Sequence, residues 1–253
     1  MKEIKIGDQI WSAENLDIDI MDDGKLIREI STDAEWHDAF KIKQPAFFQS
    51  NHGKIYNYHA LSGFIGYDYD RWRIPTIKDW AKLVDFLGAE EIAGYKLKKN
   101  FGWSDRSYTW KKDVICLNCI SWNVDYRSKV PCHVCKDSRE IVIEHNGNGS
   151  NEVGFNAVPG CIVGGKPRGK KAMPFVQKGT ALWWIGGPFT FDAWQPFDGY
   201  DNGEKIILHL SRLLEIFGYP GRSPSAIISE DTNLSFGDTS KENGAAIRLI
   251  KMR

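Results

Sequence analysis

The sequence lacks an excess of charge of either sign. Over its 253 residues, 33 Lys and Arg side chains balance 33 Asp and Glu side chains. Nucleic acids and anionic membrane surfaces attract proteins largely through basic residues, so this balance gives no electrostatic reason to expect either partner. The sequence also lacks any run that is long and apolar enough to span a bilayer, and we therefore predict no membrane insertion.

A secretory signal region is missing as well. The first residues, MKEIKIGDQIW, alternate charged and apolar side chains, whereas a signal peptide carries one continuous apolar segment. We therefore expect synthesis in the cytoplasm, where thiols stay reduced. Cysteine is scarce, with five residues in all, and four of these five fall in two close pairs.

The two cysteine pairs predict a metal site. Two residues separate the members of each pair, and twelve residues separate the pairs, which are Cys116 with Cys119 and Cys132 with Cys135. Four thiolates at this spacing can surround one tetrahedral Zn²⁺ and leave no open position, so the zinc would be structural. Residues 104–145 are charged and lack a helical period, so we interpret them as an inserted zinc-knuckle module that the metal holds together. Free thiols, two disulfides, or ligation by His133 or His145 stay open as alternatives.

The fifth cysteine, Cys161, stands alone in the segment VPGCIVGG. A nucleophilic thiol needs a base, and no histidine in a recognisable arrangement is near it in the sequence. We therefore predict that Cys161 is a buried packing residue.

The segment RWRIPTIKDWAKLVDFLG, residues 71–88, predicts a short strand, a proline turn and a helix. Thr76 and Asp79 have the spacing of a capping box at the start of the helix, and Gly88 is placed to end it. Four apolar residues share one helical face and predict its burial: Trp80, Leu83, Val84 and Leu87.

A second helix is predicted after Thr32, with Glu35 completing a capping box and Pro45 marking the stop. Its apolar side consists of Trp36, Ala39 and Phe40. Short strands are predicted at residues 4–16 around a turn at Gly7-Asp8, and at 180–187, 206–210, 225–229 and 245–251. No helix–strand repeat runs along the chain, and this pattern favours the α+β class over a parallel doubly wound sheet.

In this order, the segments resemble the Fibrobacter succinogenes major paralogous domain family, a branch of the C-type lectin-like fold. The resemblance rests on IGDQIWSAENL, TDAEWHDAF with KQPAFF, HGKIYNYHAL, WRIPTIKDWAKLVDFLG, the stretch from Asn146 to Gly160, Trp183-Trp184 and AAIRLIK. It implies a C-type lectin-like domain over residues 1–103 and 146–253. Such a domain has two helices and a mostly antiparallel twisted sheet with long loops.

The resemblance also implies a ligand surface, because loops carry binding in lectin-like folds. Aromatic and acidic residues alternate in the loop after the paired tryptophans, at Asp192, Trp194, Phe197, Asp198, Tyr200 and Asp201. We expect these residues to contact a protein or glycan ligand, since aromatic rings stack well on both. Two alternatives stay open. The carboxylates could bind Ca²⁺, although their spacing matches no EF-hand loop, or the loop could hold Asx turns with rings filling the core.

We therefore expect a non-enzymatic binding or structural module. Members of the family occur as cell-surface proteins and as phage tail-fibre or receptor-binding domains, so a virion component is expected, with virion subunits or further copies of the chain as partners. An enzyme of the formylglycine-generating kind is the first alternative, and it would require a reactive cysteine in a cleft. An intracellular adaptor that binds a protein through the zinc module is the second.

Overall fold

The computed structural model describes residues 1–21, 23–63, 72–88, 90–103, 108–113, 140–145, 147–162, 164, 174, 176–186, 222–229 and 233–252. The chain separates into two compact units, Met1–Ser104 with Asn148–Arg253, and Asp105–Gly147. The second unit overlaps in sequence with residues 104–145, which we interpreted as an insertion. Its described part is one antiparallel pair of strands.

The described elements comprise strands, three α-helices and one 3₁₀ turn. In chain order they are β1 (Glu3–Ile6), β2 (Gln9–Ser12), β3 (Arg28–Ile30), α1 (Asp33–Lys41), β4 (Ala46–Ser50), β5 (Gly53–Asn57), the 3₁₀ turn Tyr58–Gly63, β6 (Trp72–Arg73), α2 (Ile77–Leu87), α3 (Glu90–Leu97), β7 (Tyr108–Asp113), β8 (Glu140–His145), β9 (Ala181–Trp184), β10 (Arg222–Ile228), β11 (Leu234–Ser240), β12 (Gly244–Ala245) and β13 (Ile250–Lys251). No helix among them is long and apolar enough to cross a membrane.

The α+β class is confirmed, but the prediction of two helices is wrong. The additional helix, α3, carries Gly94 in its middle, which weakens helix propensity. Its buried residues, Ala93 and Leu97, contribute only one turn of apolar periodicity. The sequence of α3 therefore lacks the clear apolar stripe that marks α1 and α2.

Both predicted capping boxes form. At α1, the Glu35 carboxylate accepts from the backbone N–H of Thr32 at 3.0 Å, and the Glu35 N–H donates to the Thr32 hydroxyl at 3.2 Å. At α2, the Asp79 carboxylate accepts from the backbone N–H and the hydroxyl of Thr76, at 2.7 and 2.6 Å. Gly88 follows α2 with a φ of +104°, a conformation that favours glycine.

The described strands pair almost entirely antiparallel, but they form several sheets rather than the single one predicted. In the first unit the orders are β1-β2-β13-β6, β12-β5-β4-β3 and β11-β10-β9. Only the β3–β4 pair among these strands is parallel. The first hairpin turns at Gly7-Asp8, as expected.

The closing segment explains part of this division. Residues 245–251 were predicted as a continuous strand, whereas β12 and β13 are two short strands in different sheets. Between them the chain buries Arg248, and the backbone N–H of Leu249 donates to the Ser12 hydroxyl at 3.1 Å. The backbone of this segment still bonds, but to changing neighbours: Ala246 to Leu182 and Trp184, Ile247 to Leu16, and Leu249 to Ser12.

The core of the first unit is built around α2. Its four predicted stripe residues are all buried, and Trp80 is fully enclosed. The Trp80 ring lies 5.0 Å from Trp11, 5.9 Å from Trp183 and 6.0 Å from Phe155, measured between ring centroids. These packed rings join the first hairpin, α2 and β9 into one rigid framework.

Candidate functional site

A cavity of about 450 Å³ opens in the first unit beside the β4–β5 hairpin. Such a volume is typical of small-ligand sites. Three parts of the chain form this cavity, which we call the hairpin groove: residues 48–52, residues 102–103, and residues 159, 174 and 176–179.

The first wall is the β4–β5 hairpin. Phe48 is buried at its base and faces Ile55 in the register, while the tip carries Asn51 and His52. The Ser50 hydroxyl donates to the carbonyl of Gly53 at 2.6 Å and accepts from the backbone N–H of His52 at 3.1 Å. One side chain therefore closes the turn from both sides and holds the tip in position.

The second wall is Trp103, which hydrogen bonds fix from two directions. Its backbone N–H donates to the Asn148 side-chain oxygen at 2.9 Å, and its indole N–H donates to the carbonyl of Ala157 at 3.0 Å. The Nζ of Lys98 lies 5.1 Å from the centroid of the ring, within the range of a cation–π contact. The ring therefore keeps one orientation at the groove.

The third wall is the segment around Gln177. Its backbone N–H donates to the carbonyl of Cys161 at 2.8 Å, and Val176 pairs with Ile162 in an antiparallel bridge. The Gln177 side chain donates to the Thr180 hydroxyl at 3.1 Å. Because Ile162 belongs to the same core cluster as Phe48, this wall and the hairpin share one support.

The groove combines an apolar base with a polar rim. Phe48, Trp103, Pro159 and Pro174 are buried and form much of the base. The rim side chains of Asn51, His52 and Lys178 are exposed, and within the described part of the chain they make no hydrogen bond or ion pair. As far as the described residues go, this arrangement leaves rim donors and acceptors available to a ligand.

A second cavity, of about 460 Å³, lies beside β6 and β13 and differs in its charges. The Arg73 guanidinium there donates to both oxygens of Asp79, at 2.6 and 2.9 Å. Burial would raise the pKa of Asp79, but the hydrogen bonds and charge of Arg73, together with Thr76, outweigh it and lower the pKa. These charges are satisfied within the protein, so the hairpin groove is the better candidate for a ligand.

The comparison with protein families identifies the chain's relatives. The model of the Fibrobacter succinogenes major domain matches residues 4–251, nearly the whole sequence. The chain belongs to the Fibrobacter succinogenes major domain family. The searches of curated proteins and of solved structures gave no match. Family membership confirms the resemblance that the motifs indicated, from the first hairpin to the closing strands.

The site residues predicted from the sequence lie outside the described residues. This applies to the cysteine pairs, Cys116, Cys119, Cys132 and Cys135, and to the late-loop residues, Asp192, Trp194, Phe197, Asp198, Tyr200 and Asp201. Within the ranges that the structure describes, no group of three His, Cys, Asp or Glu residues could hold a metal ion. Both predicted sites therefore stay predictions.

The prediction for Cys161 is confirmed. The residue is 4% exposed and packs in the cluster that includes Trp184 and Leu182. Burial raises the pKa of its thiol to about 11, despite the opposing hydrogen bond from the backbone of Gln177. A thiol with so high a pKa carries little thiolate at neutral pH and is a poor nucleophile.

Sequence reasoning did not find the hairpin groove. The signals that could have shown it are local but weak: the polar turn QSNHG after two phenylalanines, and a tryptophan in the glycine-containing segment FGW. Neither signal indicates a site alone, because the third wall lies more than 50 residues further along the chain.

Proposed function

We propose that the chain is a non-enzymatic binding module and that the hairpin groove receives part of its ligand. The observation that carries the proposal is the groove itself, with its buried base of rings and prolines and its exposed polar rim. This composition is typical of sites that bind the face of a ring and orient it through a few polar contacts. Cys161 is buried with a raised pKa, which favours binding over thiol chemistry.

We further propose that the first unit has the C-type lectin-like fold. The pairing of β13 with β2 supports this assignment, because helices and terminal strands form the scaffold in that fold. The loops between late strands then vary and carry contacts. Residues 189–202 would provide a second contact surface for a protein or glycan.

A screen of the purified chain on immobilised glycans tests the groove. The double variant Asn51→Ala with His52→Ala removes two exposed rim side chains without touching the buried base. We expect it to lose most of the binding while its melting temperature stays within a degree or two of the parent. Binding that is unchanged in this folded variant would contradict the assignment of the groove.

The late loop needs a separate variant. Trp194→Ala with Tyr200→Ala should abolish binding of a protein or glycan ligand and leave the melting curve almost unchanged. Unfolding of this variant would show instead that the two rings belong to the core.

The biological setting that we propose is a virion, with the module in a tail-fibre or receptor-binding component. This proposal rests on the family and not on a particular residue. Mass spectrometry of purified particles should then detect the chain together with tail proteins, and its consistent absence from assembled particles would contradict the assignment.

A further inference from the structure

We infer that the ligand of the hairpin groove is a sugar ring that carries an anionic group. The inference rests on the proposed binding function and adds the chemical class of the ligand. It is carried by the charge of Lys178 at the groove, where the described lining residues include no Asp or Glu.

The charged side chain at the described rim is a cation, in a chain that has no net charge. This cation is Lys178, which is exposed at the groove. Among the described lining residues no Asp or Glu occurs. A ligand with a negative group would therefore meet an attractive charge and no repelling carboxylate in this part of the chain.

The contrast with the second cavity strengthens this argument. There, the Arg73 guanidinium forms a two-pronged ion pair with Asp79, and Lys251 lies 2.7 Å from the Glu3 carboxylate. Lys178, by comparison, has no ion pair within the described residues. An exposed cation at a groove that no described carboxylate pairs with is suited to a partner from solution.

The other lining residues indicate which further chemical groups the ligand carries. Phe48, Trp103 and two prolines offer apolar surface to the face of a ring. The side chains of Asn51, Gln49 and Gln177 carry both donors and acceptors, which suit hydroxyl groups around that ring. A flat apolar face, hydroxyls at the edge and one anionic group together describe an acidic sugar.

Titration calorimetry with matched oligosaccharides tests this inference. The probes are an oligogalacturonate, its fully methyl-esterified form, which has the same rings without the charge, and a sulfated oligosaccharide that has no carboxylate. We expect at least one anionic probe to bind about tenfold more tightly than the ester, and the two anionic probes distinguish a carboxylate from a sulfate. Raising the salt concentration should weaken the anionic binding alone.

Variants of Lys178 locate the charge. Lys178→Gln should weaken binding of the anionic probe about fivefold, the size of one exposed ion pair, and Lys178→Arg should restore it. Lys5→Gln is the matched control, because Lys5 is exposed but does not line the groove. Its binding should equal that of the parent chain.

Three results would overturn the inference. These are binding of both anionic probes no tighter than that of the ester, no binding of either anionic probe, or anionic binding that Lys178→Gln leaves unchanged. The first two are compatible with the proposed function if the screen finds a neutral glycan whose binding Asn51→Ala with His52→Ala abolishes. If glycan binding in the screen does not depend on Asn51 and His52, the proposed function of the groove is itself contradicted.

Discussion

Arg248 is a charged side chain that lies entirely inside the protein. Its guanidinium donates to the carbonyl of Ser12 at 2.7 Å and to the side-chain oxygen of Asn15 at 2.9 Å, and it lies 4.1 Å above the ring of Phe155. Burial lowers the pKa of Arg248, and the charge of Glu14 opposes this effect. One side chain thus connects the end of the first hairpin to the closing segment.

Replacing Arg248 by Ala should cost roughly 3–5 kcal/mol of unfolding free energy, because the carbonyl of Ser12 loses this donor in the interior and the amide oxygen of Asn15 loses one of its two donors. Urea denaturation followed by tryptophan fluorescence measures the loss. The control is Arg28→Ala, since Arg28 forms a half-exposed ion pair with Glu35 at 3.7 Å. That change should cost less than about 1 kcal/mol, and equal losses in both variants would contradict the role of Arg248.

The pair of Arg73 and Asp79 makes a pH-dependent contribution to stability. The folded state lowers the pKa of Asp79, so this carboxylate stabilises the fold at neutral pH. The contribution is lost as the pH falls from about 4, the unfolded value, through the folded value. Arg73→Gln removes the main lowering cause and leaves the burial that raises the pKa.

We expect Arg73→Gln to lower the melting temperature at pH 7 and to differ progressively less from the parent as the pH falls through the lowered pKa of Asp79, because the carboxylate that Arg73 binds is then protonated. Thermal melts at a series of pH values from 7 downwards measure this. A difference between variant and parent that does not change with pH would show that Arg73 acts through packing alone.

At the scale of elements, α2 has two faces with opposite roles. Trp80 is fully buried among aromatic rings, whereas Phe86 on the same helix is 57% exposed. Trp80→Ala should therefore cost roughly 3–5 kcal/mol, the usual range for a large buried aromatic residue. Phe86→Ala should stay within about 0.5 kcal/mol.

Chemical denaturation of these two variants of α2 gives a direct comparison. An unfolding free energy of Trp80→Ala equal to that of the parent would mean that the stripe of α2 is not the centre of the core.

The helices differ in how much of them the sequence could predict. The capping boxes at Thr32 and Thr76 involve residues three apart, and the stripe of α2 repeats at helical spacing, so local patterns were sufficient. Helix α3 escaped prediction because Gly94 interrupts it and its burial depends on packing in the folded protein. Its presence is a consequence of tertiary contacts, which override weak local propensity.

The sequence did not predict the hairpin groove for a related reason. Phe48, Trp103 and Lys178 are far apart in the sequence and come together only when the β4–β5 hairpin and the Gln177 segment pack on the same cluster. Polar residues at a hairpin tip are also what an ordinary exposed turn contains. Their use in a cavity follows from the neighbours that the fold supplies.

At the scale of the whole molecule, the two units predict independent responses to metal. Freshly purified protein should contain close to one equivalent of zinc, and Cys116→Ser with Cys119→Ser should remove it. Metal analysis gives the zinc content. The melting curve of the first unit should stay almost unchanged, because the central hydrophobic cluster that stabilises it consists of residues of that unit. Less than about a tenth of an equivalent in never-chelated protein would contradict the zinc prediction.

The pairing of β2 with β13 has a consequence for how the chain is made. Leu249 bonds to Ser12 across a separation of 237 residues. At roughly 5–20 residues per second, a ribosome adds the partner strand about ten to fifty seconds after the first hairpin. During this interval β2 lacks the neighbour beside which Trp11 is buried, so the nascent chain presents an open edge. Chaperone engagement during translation should therefore persist until the last strand emerges.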